Sequence, residues 1–210
     1  MTIKKISQKD AIVRAELLLG SSNNFLLGIV GKPGVGKSTF TENMLKSLKS
    51  DLVGVVPMDG FHLSNEELLK AGKRERKGAP DTFDVLAFIE LLKLLKKRDD
   101  NEVIFPTFDR ESDMSIPGGG RILPNTTLVV VEGNYLLHPE SGWGEAKSYF
   151  DETWFLEIDE ELRISRLVDR HIFFGKSRSE AEDWVKNSDE KNAVLINESK
   201  NLADLSVALN

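Results

Sequence analysis

The chain has 210 residues, 40% of them hydrophobic, and carries 34 acidic against 28 basic side chains for a formal charge of −6. That length supports one sizeable core, and the acidic balance weighs against nucleic acid or an anionic membrane surface as the main partner, leaving a small molecule as the preferred ligand. There is no cysteine, so disulfides, zinc-thiolate sites and thiol nucleophiles are excluded.

Residues 1–10 lack the uninterrupted apolar core of a signal peptide, and no apolar stretch is long enough to span a bilayer, which points to a cytoplasmic protein. No linker-like stretch divides the chain, so a single domain over 1–210 is expected. The first strand is predicted at 25–30, where Phe25-Leu26-Leu27-Gly28-Ile29-Val30 reads as fully buried. Directly after it come Gly31, Lys32, Pro33, Gly34, Val35, Gly36, Lys37 and Ser38, a complete G-x-x-x-x-G-K-[ST] pattern followed by Thr39. In this pattern glycines let the backbone curl until successive N–H groups point inward at phosphates. Lys37 then reaches the β- and γ-phosphates, and the Ser38 hydroxyl meets Mg²⁺ at the start of a helix predicted over 39–50.

Further along, 52–57 is β-rich and ends in Met58-Asp59-Gly60-Phe61-His62. The charged loop 73–78 leads to Asp84, an N-cap for a helix with Val85, Phe88, Ile89, Leu92 and Leu95 on one face. A short strand at 103–105 precedes a Pro/Gly-rich excursion containing Gly118-Gly119-Gly120. Strands are expected at 128–131 and 153–158, helices over 160–174 and most of 179–197, and a closing strand at 205–209. Alternation of strands and helices implies an α/β fold with a mostly parallel sheet and a ligand crevice at the strands' carboxyl ends.

Two acids fall at such strand ends, Asp59 and Glu132. Beside a phosphate loop, one suits accepting the proton of an attacking hydroxyl and the other holding Mg²⁺ or its waters. The competing reading makes Asp59 a turn former and Glu132 a loop cap. Arg163, Arg166 and Arg170 fall on one helical stripe, with Ile164, Leu167 and Val168 as the apolar face. Arginines brought over a transferring phosphate stabilise its charge, and 163–178 is expected to act as a lid hinging at Gly175-Lys176-Ser177-Arg178. A solvated charged face is the alternative.

The ordered set Gly31 to Thr39, Pro57-Met58-Asp59-Gly60-Phe61-His62, Arg76-Lys77-Gly78-Ala79-Pro80-Asp81-Thr82-Phe83-Asp84, Pro106-Thr107-Phe108-Asp109-Arg110 and Glu132-Gly133-Asn134-Tyr135-Leu136-Leu137 resembles the phosphoribulokinase, uridine kinase and pantothenate kinase superfamily over nearly the whole chain. It looks most like the bacterial pantothenate-kinase-like branch. The resemblance implies a P-loop NTPase three-layer fold, with a five-stranded mostly parallel sheet, helices on both faces and a helical lid, and ATP as phosphate donor. It implies Asp59 as the catalytic base and Arg163, Arg166 and Arg170 as lid arginines; together with the loop and strand-end readings, Lys37, Asp59, Arg166 and Arg170 are the expected catalytic residues and Ser38 and Glu132 the expected metal contacts. Phe61, His62, Arg76, Lys77, Asp109, Arg110 and Tyr135 are the candidate acceptor contacts, with ordinary packing the alternative for Phe61, His62 and Tyr135. The sequence departs from uridine kinases at Asp59-Gly60-Phe61, where those tend to have aspartate, serine and an aromatic, and has Arg110 where related enzymes commonly place histidine. The leading expectation is an ATP- and Mg²⁺-dependent kinase acting on a hydroxyl of a small metabolite, with a homodimer left open. The alternative is a regulatory nucleotide-binding ATPase that controls a protein partner; its GTP version lacks an N-K-x-D guanine-reading motif.

Overall fold

The computed structural model describes residues 3–21 and 24–210; Met1 and Thr2 of the amino-terminal segment lie outside the described residues. In chain order the elements are β1 (Lys4–Ser7), α1 (Gln8–Leu18), β2 (Phe25–Gly31), α2 (Lys37–Leu48), β3 (Val53–Pro57), a 3₁₀ turn (Met58–Phe61), α3 (Asn65–Lys70), α4 (Val85–Lys97), β4 (Val103–Asp109), β5 (Met114–Ile122), β6 (Leu128–Gly133), a 3₁₀ segment (Trp143–Tyr149), β7 (Glu152–Glu157), α5 (Glu160–Phe173), α6 (Arg178–Trp184), a π turn (Val185–Asp189), α7 (Glu190–Glu198) and β8 (Leu205–Ala208).

Six strands form one sheet in the order β1-β8-β7-β2-β6-β3, every pair parallel. The expected parallel sheet is present, with six strands instead of five. The additional one is β1, whose short, mostly exposed Lys4-Lys5-Ile6-Ser7 gives no apolar run to read. Its neighbour α1 is equally unannounced, but Ser7 caps it by accepting from the Asp10 N–H.

Because side chains alternate across a strand, each central strand feeds two cores. Leu26 and Val30 of β2, Val129 and Val131 of β6 and Phe155 of β7 pack on one face with Phe88, Leu92 and Leu95 of α4 and Ile196 of α7. Leu27 and Ile29, Leu128 and Val130, and Trp154 and Leu156 face the other way, onto Ala11 and Ala15 of α1 and Phe40 and Met44 of α2. At about 1.5–3 kcal/mol per large side chain taken out of water, these two layers supply the main driving force for the fold. The expected helix behind Asp84 is α4: Asp84 accepts from the Ala87 N–H at 3.0 Å.

Residues 103–122 form a separate antiparallel ribbon of β4 and β5. The Gly118–Gly120 run, expected as loop, therefore lies in a strand. Gly120 is tolerated there because the Phe105 ring occupies the space its side chain would take, 2.3 Å from where a Cβ would sit. The ribbon is pressed onto the sheet's carboxyl edge: a Cβ on Gly60 would lie 1.9 Å from the Pro106 carbonyl oxygen, so only glycine lets the 3₁₀ turn carrying Asp59 seat against β4.

The apolar face of α5 also differs from expectation. Arg163, Leu167 and Val168 are its buried residues, whereas Ile164 is 37% exposed. Arg163 takes the place of an apolar residue because its charge is fully paired on the buried side, as described below.

Candidate active site

The carboxyl ends of β2, β3 and β6 converge on one crevice. Pro57 pairs in register with Glu132, and Glu132 with Ile29, so Asp59, Glu132 and the loop after Gly31 are drawn to the same edge. Gly34 and Gly36 have φ of +79° and +93°, the left-handed conformations that turn the loop inward. Helix α2 starts behind Gly36 with no side-chain cap and no acidic residue in its first turn, which leaves its leading N–H groups open to an anion.

Lys37 bends back over this loop. Its ammonium donates to the Gly31 carbonyl at 2.9 Å and to Asn134 Oδ1 at 2.5 Å. Burial pushes it down to about 8, against the attraction of Asp59 and Glu132; Arg170 and Arg110 act in the same direction as burial. A lysine held this way lacks a full counter-charge, which a polyphosphate would provide. Glu132 is buried and accepts from the Ser38 hydroxyl at 2.8 Å and the Thr41 hydroxyl at 3.2 Å. Burial raises its carboxyl above the ordinary range, opposed by the Ser38 hydrogen bond and by Lys37. Ser38 and Glu132 form a small all-oxygen donor set that fits Mg²⁺. Among the described residues no group of three or more acidic or histidine side chains gathers to hold a metal. This suits an ion that keeps most of its waters and phosphate ligands.

Arg166 reaches the loop from α5: a Cβ on Gly36 would sit 3.5 Å from its Nη1. Arg170 lies deeper, among Asp189, Arg110 and Asp59, with burial lowering its pKa. Arg163 does not share their surface. It is 1% exposed, donates to the Pro33 carbonyl at 3.0 Å and pairs with Glu160 at 2.9 Å and Glu190 at 2.5 Å. Lys32 pairs with the same Glu160. The first turns of α5 are thus a wall of the phosphate loop: a Cβ on Gly34 would be 2.6 Å from Leu167 Cγ and 2.8 Å from the Arg163 carbonyl oxygen.

Asp59 faces Arg110 from the ribbon tip, Oδ2 to Nη2 at 3.2 Å. His62 hydrogen-bonds through Nδ1 to the Asp59 carbonyl at 2.8 Å and lies between the Phe83 and Phe108 rings; burial lowers its pKa, so its ring is neutral at pH 7. Lys77 donates to Asn65 Oδ1 and pairs with Asp113, 5.1 Å from the Phe108 ring centroid. Arg76 is exposed and pairs with Asp81. Asp109 accepts from Ser112 Oγ, Ser112 N and Glu111 N and so shapes its own turn.

Two expected acceptor contacts lie in the core. Tyr135 is fully buried and donates its hydroxyl to the Gly78 carbonyl at 2.6 Å. Phe61 is 5% exposed and packs edge-on against Phe88. Both are core residues beneath the crevice, and their aromatic size is used for packing. Three contributors went unread in the sequence. Asn134 lies inside a quoted motif, two residues past Glu132, and its spacing could have flagged it. Asp189 and Glu190 could not be found that way, because only the tertiary fold brings 189–190 to α5.

No family model matches the chain. A Schizosaccharomyces pombe protein named "Putative uridine kinase C227.14" is 32% identical over 189 residues, covering 86% of this chain and 80% of its own. The pantothenate kinase of Mesorhizobium japonicum is 32% identical over 149 residues, 66% of this chain, which spans about half (46%) of that enzyme's length. Among solved structures, a "putative fructose transport system kinase" from Silicibacter sp. TM1040 superposes with a TM-score of 0.86 at 34% identity, covering 96% of this chain and 98% of its own. With the phosphate loop, the parallel sheet and the strand-end acids in place, the chain belongs to the P-loop kinase superfamily of phosphoribulokinase, uridine kinase and pantothenate kinase.

Proposed function

We propose that the protein, as a single domain, transfers the γ-phosphoryl group of ATP to a hydroxyl of a small metabolite. The observation that carries this reading is the position of Asp59: it lies on the acceptor side of the crevice, within electrostatic reach of the Lys37 ammonium and open enough, at 35% side-chain exposure, to meet a hydroxyl. ATP and Mg²⁺ supply the transferable phosphoryl group and the charge that neutralises it.

The remaining chemistry belongs to the chain's own groups. The loop N–H groups and Lys37 hold phosphate oxygens, and Ser38 and Glu132 hold the metal or its waters. Asp59 takes the acceptor's hydroxyl proton as that oxygen bonds to the γ-phosphorus and the bond to the bridging oxygen breaks, releasing ADP. Arg166 and Arg170 stabilise the charge that spreads over the transferring group. Arg163, with Leu167, holds the loop from behind, so the moving part of the lid is the turn at 174–177 that precedes α6.

The test is an ATP-consumption screen over nucleosides, pantothenate, pentoses, hexoses and hydroxy acids, with mass spectrometry of the products. A product 80 Da heavier than one acceptor, formed together with ADP, supports the reading. ADP release with every candidate absent and unaffected by any of them, coupled to nucleotide-dependent capture of a protein partner, would instead favour the regulatory alternative.

A further inference from the structure

Asn134 has no task in this chemistry, although it stands two residues past Glu132, just beyond the end of β6, and is half-buried. Its Oδ1 accepts from the Lys37 ammonium at 2.5 Å. The two ends of a carboxamide have nearly the same shape, but an ammonium has only donors, so Asn134 can meet Lys37 only through its oxygen. That fixes the other end of the amide as well. Nδ2, with its two N–H donors, points off Lys37; among the described residues no acceptor takes either donor, and the nitrogen is not enclosed.

Strand order decides what those donors meet. β6 lies between β2 and β3 in the sheet. The phosphate loop follows β2 and Asp59 follows β3, so a phosphoryl group moving in line from the loop's nucleotide to a hydroxyl on Asp59 passes in front of the end of β6. The chain on both sides of Asn134 is held there. A Cβ on Gly133 would lie 2.7 Å from Met58 Cβ, so the backbone is pressed against the turn that carries Asp59, and Tyr135 is tied through its hydroxyl to the Gly78 carbonyl at 2.6 Å. Nucleotide need not displace the amide from Lys37. Of the three ammonium donors, one is on Gly31 and one on Asn134, and the third has only the Lys32 carbonyl at 3.5 Å, which leaves it for a phosphate oxygen.

We infer that Asn134 is a further substrate-contacting residue: its oxygen holds Lys37 in place while its Nδ2–H donates to an oxygen of the γ-phosphoryl group, so that the same amide tells ATP from ADP. This inference rests on the kinase reading and adds a residue to its site. A donor fixed in advance at the transferring group needs no rearrangement when charge develops there. A neutral donor also suits the position, because Lys37, Arg110 and Arg170 already bring positive charge to the crevice.

The experiment is a calorimetric titration of parent, N134A and N134D with the magnesium complexes of a β,γ-imido ATP analogue and of ADP, each variant first checked by its melting curve. The quantity read is the ratio of the two affinities. In N134A the preference for the analogue over ADP should fall by about 10- to 100-fold, the worth of a hydrogen bond to a charged group. N134D preserves the shape and keeps an oxygen for Lys37, but meets the γ-phosphate with negative charge instead of a donor, and should lower the ratio at least as far. If Asn134 served only to hold Lys37, both nucleotides would weaken together, because that lysine reaches β- and γ-phosphate alike. A ratio unchanged in either variant that melts as the parent does overturns the inference, as does tighter binding of both nucleotides. The kinase reading fails on a different result, the absence of phosphorylated product from every hydroxyl compound screened, which the affinity ratio does not touch.

Discussion

Lys37→Met separates the two effects of an enclosed ammonium. Without nucleotide, burial holds that group at about 8 against an ordinary lysine value of 10.5. At roughly 1.4 kcal/mol per pH unit, carrying the charge at pH 7 costs the folded protein about 3 kcal/mol. That figure is a ceiling, because Lys37 as a residue is only partly buried. Methionine removes this cost and forfeits the hydrogen bonds to Gly31 and Asn134, each worth about 1 kcal/mol. The variant should therefore be about 1 kcal/mol more stable at pH 7, a rise of roughly 2–4 °C in Tm for a chain of this size. The folded pKa lies below the unfolded one, so between pH 8 and 10.5 the unfolded parent holds the extra proton and the parent gains stability on the variant as pH rises. Near pH 9 the order should reverse, since about one pH unit above the folded pKa recovers the ~1 kcal/mol difference. Nucleotide affinity moves the other way, falling by roughly 10²–10³ in the variant because the buried charge that costs stability is the one phosphate uses. Paired melting curves at several pH values, with a nucleotide titration at pH 7, measure all of this. A variant destabilised by the same amount at every pH would refute the reasoning.

Three further outcomes are expected. Asp59→Asn should lower kcat by about 10²–10⁴ with little change in nucleotide affinity, read from steady-state kinetics on the true acceptor beside a nucleotide titration; an unchanged kcat would return Asp59 to turn formation. Gly34→Ala adds a Cβ at a φ of +79° and within 2.8 Å of both Leu167 and the Arg163 carbonyl, so it should cost roughly 2–4 kcal/mol by thermal melting and weaken nucleotide binding with it; a stable, tight-binding variant would show that α5 and the loop are not coupled. In hydrogen exchange, 160–168 should be equally protected with and without a non-hydrolysable ATP analogue plus acceptor, while 174–177 gains protection on binding. Equal behaviour of the two stretches would argue that the lid moves as one piece or not at all.

What could be read from the sequence divides by how local its cause is. The phosphate loop was legible because its glycines, lysine and serine each answer a demand set within eight residues, and the central strands because 25–30 and 128–131 are apolar on both faces. Strand β1 was not, since four residues with two exposed lysines acquire strand structure only by pairing with β8 from the far end of the chain. Arg163 shows the limit of periodicity most clearly. Helical spacing put it on one stripe with Arg166 and Arg170, but the groups that bury it, the Pro33 carbonyl and Glu190, are distant in sequence. Tyr135 and Phe61 sit inside motifs that read as acceptor-facing and yet turn inward, because a motif records which residues recur together and not which way each side chain points.

The π turn at Val185–Asp189 joins α6 to α7 without a break, so 178–198 is one helical rod with a single slip in phase. On the near side of the slip, Ala181 and Val185 pack against Leu167 and Val168 of α5. On the far side, Ile196 belongs to the main core under the sheet. Two apolar faces that point in different directions are thereby served by one rod, and the widened turn also sets Asp189 against His171 Nε2 at 2.7 Å. Deleting one residue from 185–189 would leave the phase unchanged, but winding all five residues as ordinary α-helix would rotate everything beyond them by about 100°. Ile196 would then leave its core, or Ala181 and Val185 theirs. The rod works as a crankshaft whose offset throws are set by the winding of one wide turn.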